Sequence, residues 1–120
     1  MEIQDSSKLV QKKCEPCEGG IDPCPLPYVR DQLEKLPGWY LTNDNQRIRK
    51  DWTVKDFMTG LAFFQAVAVL AEEDGHHPDL HLENYKDLSI ELWSHAISGL
   101  SENDFILAAK IDQLPIELES

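Results

Sequence analysis

The chain has 120 residues, enough for one domain with one usable core and too few for a second. Its composition, 42% hydrophobic and 28% charged, is that of an ordinary globular protein. A formal net charge of -11 argues against nucleic-acid backbones or anionic membranes as direct partners, because both would repel it.

Residues 1–25 read as a flexible extension and residues 26–120 as the folded domain. The extension carries Pro16, Gly19, Gly20, Pro23 and Pro25 and few large apolar side chains, so it has little to bury. Its start, Met1-Glu2-Ile3-Gln4-Asp5, lacks the basic-then-apolar opening of a signal peptide. The longest near-apolar run, Gly60 to Ala71, is far short of the roughly 18 residues of a membrane span. These features predict a soluble, cytoplasmic protein; a removed organelle-targeting segment stays open. Cys14, Cys17 and Cys24 all lie in the extension. Their odd number does not suit a disulfide framework, and three thiols fall short of four zinc ligands. No thioredoxin-like βαβ pattern surrounds the Cys14–Cys17 pair. An incidental structural role is preferred to metal binding shared between subunits.

Tyr28 to Leu36 has Val29, Leu33 and Leu36 at helical spacing, and Pro37-Gly38 stops it. Trp39 to Thr42 and Gln46 to Trp52 read as a hairpin turning at Asn43-Asp44-Asn45. Thr53 and Asp56 have capping-box spacing ahead of a long helix reaching about Asp74. Its core stripe is expected at Phe57, Leu61, Phe64, Ala68 and Ala71, widened by Phe63, Val67 and Leu70. Gly75 sits where a left-handed helix end belongs. Leu80 to Glu83 is a short strand. Tyr85 to Trp93 is another, with Leu88, Ile90 and Leu92 on one face and Ser89, Glu91 and Trp93 on the other. Ser101 and Asp104 form a second capping box that opens a last helix. The order is αββαββα, an α+β fold: an antiparallel sheet with three helices packed on one face.

Four histidines, His76, His77, His81 and His95, fall within twenty residues. Imidazole gives and takes protons near neutral pH, so a clustered set suggests acid–base chemistry. His76 and His77 follow a helix end, where outward carbonyls favour a cation. Glu72, four residues before His76, is placed to tune it. Pro78 biases His77 toward extended geometry. The plainer alternative is a pair of histidines capping a helix. His81, on a strand, is assigned no role. The His77–His81 spacing suits two metal ligands on a helix, but Pro78 argues against helix there, so no metal site is expected.

The sequence Glu72-Glu73-Asp74-Gly75-His76-His77-Pro78, with Tyr85, His95 and Asp104 after it, resembles the signature of the pterin-4a-carbinolamine dehydratase family. The pattern is an acidic residue, three residues, His-His-Pro, an aromatic, then His and a later Asp. The likeness covers about residues 28 to 113. The resemblance implies dehydration of a 4a-hydroxytetrahydropterin to a quinonoid dihydropterin, with no metal or bound cofactor. It implies His76, His77 and His95 as catalytic residues, with His76 and His95 moving protons and His77 orienting the ring. It adds Glu72, Gly75, Pro78, Trp93, Ser94 and Ala96 as pocket residues. Asp104 reads equally as a cap. Family members have a four-stranded antiparallel sheet, and they associate through sheet edges into dimers that in some cases pair into tetramers. The resemblance therefore implies a pterin substrate and a homodimer or homotetramer. A non-catalytic binding or assembly module on the same fold, with a partner the sequence does not name, is the alternative. Retention of all three histidines with Glu72 favours the enzyme.

Overall fold

The computed structural model describes residues 2–15 and 22–119. Cys17 lies outside the described residues. Four strands, β1 (Tyr40–Thr42), β2 (Arg47–Thr53), β3 (Asp79–Glu83) and β4 (Asp87–Leu92), form one antiparallel sheet in the order β1-β2-β4-β3. The helices are α1 (Ser6–Leu9), α2 (Leu26–Leu33), α3 (Phe57–Asp74) and α4 (Glu102–Asp112). The expected αββαββα order runs from α2 to α4, with the short α1 added before it.

The strand alternation sets two unlike faces. Pairing of Leu41 with Ile48, Ile48 with Leu92, and Leu80 with Ile90 puts the apolar side chains together. Ile48, Leu88, Ile90 and Leu92 are at most 2% exposed. They share a core with Val29 of α2, Phe63 and Val67 of α3, and Phe105 and Leu107 of α4. Each such side chain contributes roughly 1.5–3 kcal/mol by leaving water. The opposite face carries Tyr40, Thr42, Arg49, Asp51, His81, Ser89 and Glu91.

α3 departs from its expected geometry in two ways. Thr53 ends β2, and Asp56 itself is the N-cap, accepting from the Thr59 N–H at 2.8 Å. The Thr59 hydroxyl and, after it, this N–H hold the Asp56 carboxyl below the usual carboxylate range. The buried stripe is Gly60, Phe63, Val67, Ala71 and Asp74, while Phe57 and Leu61 are exposed. The helix is apolar nearly all round, so spacing alone does not select a side. Gly60 does: a Cβ there would lie 3.1 Å from Leu88 and 3.4 Å from Val54. The helix approaches the sheet where it has no side chain.

α2 begins earlier than expected, at Leu26, because Pro25 and Pro27 pre-set its first turn, and it ends earlier, at Leu33. β4 begins at Asp87, since Asn84 and Tyr85 take left-handed φ of 48° and 51° to make the hairpin turn. The first residues also differ from expectation. Leu9 of α1 is fully buried, and Cys14 is 6% exposed. The Gln32 amide pairs with both backbone groups of Gln4, and the Asn103 amide does the same with Glu15. Two side-chain amides thus dock the described part of the extension onto α2 and α4.

Candidate active site

Antiparallel register decides which residues meet. Asp79 at the start of β3 pairs with Glu91 near the end of β4. The segment entering β3, His76-His77-Pro78, and the segment leaving β4, Trp93-Ser94-His95, therefore emerge at one end of the hairpin. Tyr85 sits in the turn at the other end, on the order of 15 Å away along the strands.

Gly75 ends α3 with φ 64°, and the His76 N–H still reaches the Ala71 carbonyl. The left-handed step swings His76 off the helix and toward α4. Its Nε2 lies 2.6 Å from Asp104 Oδ1. Asp104 is fully buried, and its Oδ2 accepts from Ser94 Oγ and from the Ser101 N–H, both at 2.9 Å. Ser94 Oγ, having donated to the carboxylate, accepts from Ser101 Oγ at 2.6 Å. Three donors thus compensate a carboxylate that burial would otherwise make costly. With Asp104 accepting, the neutral imidazole carries its hydrogen on Nε2 and its lone pair on Nδ1. The His76 side chain keeps 11% exposure, enough to meet a ligand from one side.

His77 is more open. Its Nε2 is 3.4 Å from Glu72, and both side chains are mostly exposed. Glu72 therefore partners His77, not His76 as expected: the turn at Gly75 breaks the helical four-residue relation. Pro78 is half-buried. His95 opens a 3₁₀ turn, His95–Ile97, that leaves it and Ala96 exposed. Its ring packs on Trp93 with centroids 4.1 Å apart. Ser94 is 1% exposed and turned inward, so it orients Asp104 from beneath the site. His81 lies apart on the open sheet face, 3.4 Å from Glu91. Among the described residues, no three His, Cys, Asp or Glu side chains converge as metal ligands.

One contact and one residue escaped the sequence reading. The Asp104–His76 pair was hidden by the capping box, which accounts for the same residue. Asp79, whose Oδ2 accepts from the Trp93 indole N–H at 2.9 Å, carried no signal except its place after Pro78. A separate groove of about 390 Å³, lined by Thr59, Ala62, Phe63, Ala66, Pro115, Ile116 and Glu117, shares no residue with the histidine cluster.

The profile of the family described as "Pterin 4 alpha carbinolamine dehydratase" matches residues 24–114. The chain belongs to this family. The dehydratase profile spans all three site histidines and Asp104. A relative from Arabidopsis thaliana, "Pterin-4-alpha-carbinolamine dehydratase 2, mitochondrial", is 50% identical over 112 residues. The match covers 91% of this chain and 60% of that relative, so the chain spans about three-fifths of its length. A "Putative pterin-4-alpha-carbinolamine dehydratase" from Dechloromonas aromatica is 43% identical over 109 residues, covering 91% of this chain and 95% of its own. Among solved structures, a "transcriptional coactivator/pterin dehydratase from Brucella Melitensis" superposes with a TM-score of 0.70 at 26% identity. It covers 76% of this chain and 96% of its own. No helix among the described residues of this dehydratase-family chain is long and apolar enough to cross a membrane.

Proposed function

We propose that this chain is a 4a-hydroxytetrahydropterin dehydratase, a hydro-lyase working by acid–base catalysis through His76, His77 and His95. The observation that carries the reading is the His76–Asp104 pair set beside the segment that bears His95. In the reaction the C4a–O bond breaks, and an acid delivers a proton so that water leaves. The neighbouring ring nitrogen supplies the electron pair, and a base removes one proton from the ring system. Proton in and proton out balance, and no external oxidant or reductant takes part. His76, held through Nε2 by Asp104, and the exposed His95 are the two groups for these transfers. His77 orients the ring, with Glu72 holding it loosely. Gly75, Pro78 and Ala96 line the approach.

The test is dehydration of synthetic 4a-hydroxytetrahydropterin followed by stopped-flow absorbance with chelator present. Wild type should accelerate the reaction, and His76→Ala should lose roughly 10²-fold of turnover. His81→Ala should match wild type. No acceleration by folded wild type would return the chain to the binding-module reading.

We also place the chain in a homodimer or homotetramer in the soluble intracellular space. Support comes from free sheet edges at β1 and β3 and from an uncovered apolar side of α3: Phe57 is 46% exposed, Met58 71%, Leu61 41% and Val69 54%. Sedimentation should show an oligomer, and Met58→Glu with Val69→Glu should shift it toward smaller species if α3 takes part.

A further inference from the structure

Two side-chain bridges flank the segment leaving β4, and they point in opposite directions because the strand alternates. Inward, Ser94 reaches Asp104 and through it His76. Outward, Trp93 reaches Asp79, two residues beyond His77. The indole is held on more than one side. Its N–H is bound to Asp79 Oδ2, and the Arg47 guanidinium lies 4.4 Å over its ring. Arg47 is itself tied to Glu91 at 3.5 Å and to Asp79 at 3.8 Å. An indole fixed in this way has little freedom to turn. His95 packs against it with ring centroids 4.1 Å apart.

We propose that Trp93, locked by Asp79 and Arg47, is the positioning residue that sets the ring of His95. The assignment rests on the dehydratase reading above and adds the device that fixes one catalytic group relative to the others. His95 heads an exposed 3₁₀ turn whose last position, Ser98, takes a left-handed φ of 49°. A turn of that kind does not by itself hold an imidazole to a single rotamer. Contact with a clamped indole does, at small entropic cost on binding. The clamp also couples segments: Asp79 follows the His76-His77-Pro78 run, so the indole against which His95 packs is referenced to the loop carrying the other two histidines. Trp93 in this role acts through His95. A Trp93 that instead served as a stacking face for the pterin would change substrate affinity.

The experiment combines steady-state kinetics with NMR of the His95 ring in Trp93→Ala, Trp93→Phe and Asp79→Ala, using the full chain. Trp93→Ala should lower kcat by roughly 10- to 100-fold with KM little changed, the scale of misplacing a reacting group. Trp93→Phe keeps an aromatic face but loses the N–H that Asp79 holds, so it should recover only part of that loss. Asp79→Ala frees the indole and should fall between. In spectra without substrate, the His95 ring C–H signals should carry an upfield ring-current shift in wild type. The shift should vanish in Trp93→Ala and shrink in Asp79→Ala. A rise in KM at constant kcat would overturn the proposal in favour of direct stacking. Unchanged His95 signals in a folded Trp93→Ala protein would overturn it outright. The NMR arm decides even if the wild type proves inactive, so failure of the dehydratase reading and failure of this one are distinguishable.

Discussion

At the scale of single residues, Asp104 performs two tasks with one carboxylate. One oxygen closes the start of α4 by accepting the Ser101 N–H, and the other holds His76. The helix start and the His76 imidazole therefore share a reference point. Asp104→Asn preserves size but offers only one oxygen, and its amide N–H₂ would face either His76 or two donors. Turnover should fall on the order of 10²-fold while the protein folds, with stability lowered by about 1–3 kcal/mol from the unsatisfied buried groups. Kinetics beside urea unfolding check both; full activity in a folded Asp104→Asn protein would remove Asp104 from the site. In the sequence, the His-His-Pro run, the third histidine and Asp104 were all legible. Their wiring was not. Glu72 looked like the partner of His76 because the two are four residues apart, but that relation needs unbroken helix, and Gly75 breaks it. The partner came instead from 28 residues downstream.

At the scale of elements, the strands were legible because β4 alternates strictly, and the turns because Asn43, Asp44 and Asn45 tolerate the left-handed φ they all adopt. The inward side of α3 was not, since a helix apolar nearly all round carries several stripes of equal quality. The missing discriminator was steric: Gly60 marks the closest approach to Leu88 and Val54. Gly75 was read correctly as a left-handed terminus, and its surroundings isolate the cause of its importance. No atom lies within 4 Å of where its Cβ would be, so substitution there meets no clash. Gly75→Ala should therefore cost only the backbone term, about 1–2 kcal/mol, and Gly75→Asn less than that. Equal urea midpoints for Gly75→Ala and wild type would show that the terminus relaxes out of the left-handed region.

At the scale of the whole molecule, the described part of the N-terminal extension belongs to the packed structure, although its composition suggested otherwise. One buried leucine and two amide side chains that grip backbone, Gln32 and Asn103, were too sparse to register as a pattern. Cys14 reports on this docking. Its Sγ lies 3.5 Å from the Asn103 carbonyl, and burial, reinforced by the charge of Asp74, pushes its thiol up to about 12 from an ordinary value of 9.0. The folded chain thus keeps a proton that the unfolded chain releases above pH 9. Stability from this group is undiminished below pH 9 and declines as pH rises from there toward 12. The loss by pH 10 should be about 1 kcal/mol. Cys14→Ala removes the titrating group, so it should begin less stable at pH 8 through lost packing yet decline less between pH 8 and pH 10. Urea midpoints at the two values, under reducing conditions, measure the difference. Parallel declines in the two proteins would mean that Cys14 meets water in solution and that the extension stands away from α4.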